Sequence, residues 1–346
     1  MDGYALALKG PSPGIITVSC ESRIGQPPPD LAPKTAGKVF TGSPIPRGAD
    51  VVIRREDVVE RPGQIELSEA ALRALTPGTH IRRRGENLAA GQSVIPAGLE
   101  ITAPIAAALA CFGVANPAVY KRVHVGILVT GDELVPIAQP LSDYQLRDSN
   151  GPSVAAALSR LQWLDVLPPR RCHDDPSAMR DAVTSLLAEC DALILTGGVS
   201  MGDRDYVPAT LSAIGAQTVF KRVPQRPGGP VMGAVTQDRR PILALPGNPV
   251  SVLVTCRRMA IPILAAQAGL RADPRPPTLV HVNNPDQRTL NMWWQRLSRL
   301  TAPGQVELLP TKGSGDIPSA ARSDGFVEIP PNASGPGPWP FYSWSF

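Results

Sequence analysis

A chain of 346 residues exceeds one ordinary hydrophobic core, so two to four domains are expected. Hydrophobic residues at 43% exclude a wholly disordered chain, while 39 Pro and 31 Gly predict many turns and few long helices. The net charge is +4; of 34 basic residues 28 are Arg and six Lys, with acids interspersed. That balance suits discrete phosphate or carboxylate contacts and leaves no continuous basic stripe for nucleic acid.

Residues 1–80 alternate short β-rich runs with Pro/Gly turns. Gly14–Cys20 and Ala49–Arg54 read as strands, and Gln26–Pro33, with four prolines, as a loop. Val94–Pro96 reads as extended. Thr102 reads as an N-cap, with Pro104 in the first turn of a helix over Ile105–Phe112 that ends at Gly113. Val123–Thr130 is a buried-type strand, Ser153–Leu161 a helix and Trp163–Leu167 a short strand. Pro176–Ala188 is a helix capped by Asp174 or Asp175. Ala192–Thr196 is an apolar strand, followed by the loop Gly197–Asp205 and a helix near Val207–Ile214. Strands follow near Thr218–Val223, Val231–Val235 and Ile242–Leu245, and a last helix runs from Pro249 to about Ala268. Such alternation predicts a mostly parallel sheet covered on both faces. Arg271–Pro277 reads as a linker. Thr278–Val282, Trp293–Leu297, Val306–Leu309 and Gly325–Ile329 read as strands of a small β domain, and Pro331–Pro340 as an irregular tail.

Five scattered Cys and four distant His carry no zinc spacing or disulfide framework, which fits a reducing compartment. The N-terminus has no signal pattern, and the apolar run Ala103–Phe112 is about half the length that spans a bilayer. A cytoplasmic protein without membrane or nucleic-acid partners is expected.

In an open α/β sheet, ligands bind beyond the carboxyl ends of the strands. Three loops there have unusual composition: Thr130–Leu134 (TGDEL), Thr196–Asp205 (TGGVSMGDRD) and Leu245–Ser251 (LPGNPVS). Gly197, Gly198 and Gly202 let backbone N–H groups approach an oxyanion, and Ser200 adds a hydroxyl. The third loop opens a helix at Pro249, a natural phosphate seat. Neither a Walker A loop nor a dinucleotide fingerprint occurs. Asp132, Glu133, Asp148, Asp203 and Asp205 cluster at the same edges, where carboxylates beside a phosphate can hold Mg²⁺. For Asp148 and for Asp174–Asp175, helix capping is the competing role.

Eight motifs then stand in a familiar order: MDGYA at 1–5, TGSPIPRGADVVI at 41–53, RRRGEN at 82–87, VTGDEL at 129–134, DSN at 148–150, HDDP at 173–176, LTGGVSMGDRDY at 195–206 and LPGNPVS at 245–251. The chain resembles the molybdopterin molybdenumtransferases, the MoeA/gephyrin E-domain family, over nearly its whole length. The resemblance implies a multidomain α/β protein. Its parts are a small β domain with the N-terminal motif at 1–81, an elongated-region remnant at 82–120, a mostly parallel molybdopterin-binding α/β domain at 121–270, and a C-terminal β domain at 276–346. It implies a molybdenum insertase that takes adenylylated molybdopterin and molybdate with Mg²⁺ and releases AMP. It also implies a homodimer, and a molybdopterin-adenylylating protein as pathway partner.

By the same resemblance, Glu133 and Asp205 lie close to the reacting group or metal, and Asp2 and Thr41 are contributed across the dimer cleft. Thr130, Gly131 and Asp148 are substrate-binding residues, and Ser149 and Asn150 are part of the site edge. Gly197, Gly198, Ser200, Gly202, Pro246, Gly247, Asn248, Pro249 and Ser251 hold the pterin and its phosphate. Arg296 resembles an Arg of the C-terminal domain that can meet an anion, Ser314 belongs to the small-residue loop nearby, and Arg226 is a further substrate-binding residue. Three departures accompany it. About fifty residues usually precede MDGYA. A PGKP-type segment with two lysines reads RPGGP here, with Arg226 for the first Lys and Gly229 for the second. The usual acid after GE or GQ is Asn87, with Glu86 expected on the opposite face of a strand. These motivate an alternative, a catalytically impaired molybdopterin-binding or scaffold protein of the same fold. A third reading, the adenylylating enzyme, needs only the α/β domain, and the β domains argue against it.

Overall fold

The computed structural model describes residues 1–10, 12–199, 205–271 and 276–345. The chain divides into two compact units, Met1–Val94 and Ile95–Phe346, and the boundary falls inside the segment 82–120.

The first unit is a six-stranded sheet of β1 (Gly3–Leu6), β2 (Gly14–Glu21), β3 (Ala36–Val39), β4 (Val51–Arg54), β5 (Val59–Arg61) and β6 (Gln64–Leu67), followed by a short helix α1 (Glu69–Arg73). The order is β4-β1-β3-β2-β6-β5, with only β2–β3 parallel. All four residues of β1 are buried, because it lies between β3 and β4. MDGYA needs its glycine there: a Cβ at Gly3 would collide with the Ile53 carbonyl oxygen. Tyr4, Leu6, Ile16, Ile53, Ile65 and Leu67 form the core, each stabilising by about 1.5–3 kcal/mol of apolar burial. Residues 82–88 are turn rather than strand. The Arg82 guanidinium therefore meets both Asn87 and Glu86, and the opposite-face expectation for Glu86 does not hold.

The second unit opens with α2 (Ala103–Cys111), two residues earlier than its apolar run, with Thr102 at the N-cap and Pro104 in the first turn. Strand β7 (Val123–Thr130) leads to the short pair β8 (Leu134–Val135) and β9 (Leu146–Arg147), then α3 (Asn150–Leu158) and β10 (Leu164–Val166). Next come β11 (Arg170–Cys172), α4 (Pro176–Leu187), β12 (Ala192–Thr196) and α5 (Val207–Ala213). Strands β13 (Gln217–Lys221), β14 (Gln225–Arg226), β15 (Met232–Val235) and β16 (Pro241–Leu245) precede α6 (Pro249–Thr255) and α7 (Ile261–Gln267).

The α/β sheet runs β10-β7-β12-β16-β15-β13, with β11 also paired to β7. The pairs among β7, β10, β11, β12 and β16 are parallel, while β15 and β13 add an antiparallel edge. Alternation sorts the faces: Val125, Ile127, Val129 and Ile194 pack with α3, α6 and α7, whereas Leu128, Leu193 and Leu195 pack with α4 and α5. Asp175, not Asp174, caps α4 by accepting the Ala178 N–H at 2.8 Å. The last helix is one apolar rod over Pro249–Gln267, interrupted by a π turn at Cys256–Ala260. Its length and hydropathy would suffice to cross a bilayer, yet its apolar residues are the core beneath the sheet.

Strands β17 (Thr278–Val282), β18 (Trp293–Ala302), β19 (Gln305–Leu308), β20 (Gly325–Ile329) and β21 (Trp339–Ser343), with helix α8 (Ile317–Ala321), form the C-terminal part. Because β18 pairs with both β19 and β20, the order β18-β19-β17-β21-β20 closes on itself as a small barrel. β21 lies at the end of the Pro/Gly-rich tail read as irregular; Phe341 and Tyr342 are buried, and their packing overrides the local composition. β14, from the α/β part, pairs in parallel with Trp293–Trp294 of β18. The RPGGP segment is thus stitched to the barrel. The π turn aids the same junction: Arg257 donates to the Ser343 carbonyl at 3.1 Å and Arg258 pairs with Glu328 at 2.9 Å.

Candidate functional site

β7, β12 and β16 are adjacent and parallel, so the loops leaving their carboxyl ends meet. The Gly197 N–H donates to the Leu245 carbonyl at 3.2 Å, linking the second loop to the third. Gly197 takes φ +92°, and a Cβ there would lie 2.7 Å from the Thr130 carbonyl oxygen. Only glycine lets the three loops approach this closely. Asn150, at the start of α3, donates from Nδ2 to the Gly247 carbonyl at 2.8 Å.

The third loop also touches the barrel. Asn248 Nδ2 donates to Ser314 Oγ at 2.9 Å, and the Val250 N–H donates to the Ser314 carbonyl at 3.0 Å. This narrows the phosphate seat expected at the start of α6. One first-turn donor is already taken, and Pro249 has none.

Together these elements enclose a cleft of about 1630 Å³ within the second unit. Of the residues picked from sequence, it gathers Thr130, Gly131, Glu133, Asp148, Ser149, Gly197, Gly198, Asp205, Arg226, Pro246, Gly247, Asn248, Pro249, Ser251, Arg296 and Ser314. Ser200 and Gly202 lie outside the described residues. Asp2 and Thr41 belong to the first unit. There Asp2 accepts the Thr41 N–H at 2.9 Å and the Thr41 hydroxyl at 3.2 Å, and the backbone bond above all holds its carboxyl below the usual aspartate value.

The carboxylates divide by role. Asp148 is buried and accepts the Gly151 N–H at 2.9 Å, so it caps the first turn of α3. Asp132 accepts the Asp174 N–H and approaches His173 Nδ1, both at 3.1 Å. Glu133 and Asp205 line the cleft, Glu133 folded against the bare Cα of Gly131. No group of three or more His, Cys, Asp or Glu side chains is arranged as a metal cage among the described residues. Cys172, near this rim, is pushed up to about 11 by burial and then by Asp174 and Asp132, so its thiol stays protonated at neutral pH and is no nucleophile.

Among the cleft-lining residues that sequence reading passed over are three cations, Arg222, Arg288 and Lys312, with Trp294 and Gln295 beside them. The WWQR motif held the signal for one of them, since period-two alternation puts Trp294 on the same face as Arg296. Gly229 sits in a tight turn, its Val223-bonded carbonyl at 3.0 Å, and a Cβ there would meet the Gln225 carbonyl oxygen at 3.0 Å.

Comparison with known proteins agrees with this architecture. Residues 1–113 match the family model described as the MoeA N-terminal region (domain I and II), and residues 126–266 match the probable molybdopterin binding domain. The molybdopterin molybdenumtransferase of Synechococcus elongatus is 34% identical over 342 residues, covering 95% of this chain and 83% of the relative. That of Haemophilus influenzae is 33% identical, covering 80% of this chain and 68% of the relative. A crystal structure of the molybdopterin biosynthesis MoeA protein from Pyrococcus horikoshii OT3 superposes with TM-score 0.80 at 22% identity, covering 99% of this chain and 86% of that one; it establishes the fold. The chain belongs to the molybdopterin molybdenumtransferase family, transferases of molybdenum cofactor biosynthesis.

Proposed function

We propose that this chain transfers molybdenum from molybdate to adenylylated molybdopterin, with cleavage of the phosphoanhydride by water and release of AMP. The observation that supports the reading most is the convergence in one cleft of a glycine-lined backbone rim, two carboxylates and a basic wall. With the Gly197 and Val250 N–H groups already bonded and prolines at 246 and 249, the Gly198, Gly247 and Asn248 N–H groups are the rim donors left for a phosphorylated ligand. Glu133 and Asp205 would hold Mg²⁺. Two carboxylates suit that ion, which keeps waters and bridges to substrate phosphates rather than needing a protein cage. When bound, it would neutralise charge building on the leaving phosphate. A molybdopterin-adenylylating protein would supply the substrate.

A homodimer is part of the proposal, with Asp2 and Thr41 offered to the cleft of a second copy. It is supported by α2, whose sequence APIAAALAC has no charged residue and no buried one. Leu99, Ile101, Phe112, Val119 and Tyr120 around it are exposed as well. Such an apolar surface calls for a covering partner.

The impaired-binder reading draws on Gly229, where a cation has been lost from a turn with little room for a side chain. One experiment separates the two. Purified protein is mixed with adenylylated molybdopterin, molybdate and Mg²⁺, and AMP is followed by chromatography. Turnover is expected, and Glu133→Ala is expected to reduce it by about a hundredfold or more without loss of fold. Tight pterin binding with no AMP would favour the impaired binder, and unchanged turnover in Glu133→Ala would remove Glu133 from the catalytic set.

A further inference from the structure

The basic wall of the cleft is not uniform in charge. Arg296, on β18, is already committed. Its Nε and Nη2 reach the Asp286 carboxylate at 2.6 and 3.3 Å, and its side chain is only 14% exposed. A two-point guanidinium–carboxylate pair of this kind is close to neutral as seen from the cleft. Arg288 differs. It sits in the connection before β18, is exposed, lines the same cleft, and has no carboxylate within ion-pair distance among the described residues.

Trp294 links the two. It is buried, and the guanidinium carbons of Arg288 and Arg296 each lie 4.9 Å from its ring centroid. Stacking on an indole holds a guanidinium in place without neutralising it. Two bare cations on one ring would repel each other, and Asp286 removes that repulsion by pairing with one of them.

We propose that Arg288 is a charged contact for a tetrahedral oxyanion in this cleft, alongside the exposed Arg226, and that Arg296, held by Asp286, is a positioning residue that supports Trp294. The assignment deepens the proposed function and rests on its premise that the cleft takes such an anion. It moves the anion contact from Arg296, which the sequence resemblance implied, to a residue no motif marked.

The test titrates the full-length chain with sodium molybdate at low ionic strength by calorimetry, alongside its thermal unfolding. Arg288→Gln is expected to weaken molybdate binding about tenfold or more with unchanged Tm, a loss of about 1.4 kcal/mol or more. Arg288→Lys should recover part of the affinity, since it restores charge but not the planar stack. Adding Asp286→Asn to Arg288→Gln should also recover affinity, because it frees the Arg296 charge; a merely structural role for Asp286 would not give that gain. Wild-type affinity in Arg288→Gln overturns the proposal. So does a failure of the unaltered chain to bind molybdate. AMP release from adenylylated molybdopterin, measured separately, then decides whether the functional reading falls with it or stands.

Discussion

Gly197 lies at the closest approach of the three loops, and its side chain is excluded twice over. Its φ of +92° disfavours any L-residue, and the Thr130 carbonyl occupies the space of a Cβ. Gly197→Ala is expected to lower stability by about 1–3 kcal/mol and to weaken molybdopterin binding, read by urea unfolding and by pterin fluorescence. Gly247 is the control. Its φ is not positive, and a Cβ there would meet only Gly197 Cα at 3.7 Å, an ordinary contact. Gly247→Ala should leave stability nearly unchanged. Tyr4 gives a pH signature to the first unit. Burial first, then the Glu60 carboxylate that accepts its hydroxyl at 2.7 Å, push the phenol from 10.0 up to about 12. The folded chain keeps a proton that the unfolded chain releases above pH 10, so this contribution is complete below pH 10 and is lost as pH rises towards 12. The stability difference between the natural chain and Tyr4→Phe, read by urea unfolding, should therefore shrink as pH rises from 10.0 towards about 12. A constant difference would show that the phenol titrates as it does in water.

At the scale of elements, the turn between β16 and α6 is where the α/β part and the barrel touch the same ligand cleft. The Asn248–Ser314 bond joins them there at 2.9 Å. Asn248→Ala should cost about 1 kcal/mol in Tm-derived stability and loosen substrate binding several-fold, about what one lost side-chain bond gives. Elements of this part were legible in the residues. β12, β16 and, after the exposed His124, β7 are near-continuous apolar runs because both of their faces are covered, and such runs read as strands without further context. β1 and β3 were not legible. Each is four residues long and carries glycine, and each is a strand only because its neighbours bury it. The same holds for β21 within a Pro/Gly-rich tail, and for the π turn, which answers to Glu328, Tyr342 and Ser343 far along the chain.

At the scale of the whole molecule, α2 carries the strongest expectation. An exposed helix of nine residues without a charge is unfavourable in water unless it is covered. If the proposed dimer holds, the chain should sediment as a dimer, and Leu109→Glu should weaken association about tenfold or more by placing a charge in the surface a second copy would cover. A monomeric natural chain would leave α2 without a partner. Sequence by itself determined the fold class, the parallel strands and the points where the rim loops leave them, because these follow from local periodicity and from turn chemistry that a few adjacent residues specify. Tertiary structure decided which charges are available. Asp148 is consumed by a helix cap, Arg296 by Asp286 and the Val250 N–H by Ser314, while Arg288 is left open. Those outcomes depend on partners ten to sixty-four residues away, apart from the local cap, and Coulomb and hydrogen-bond energies act through space rather than along the chain.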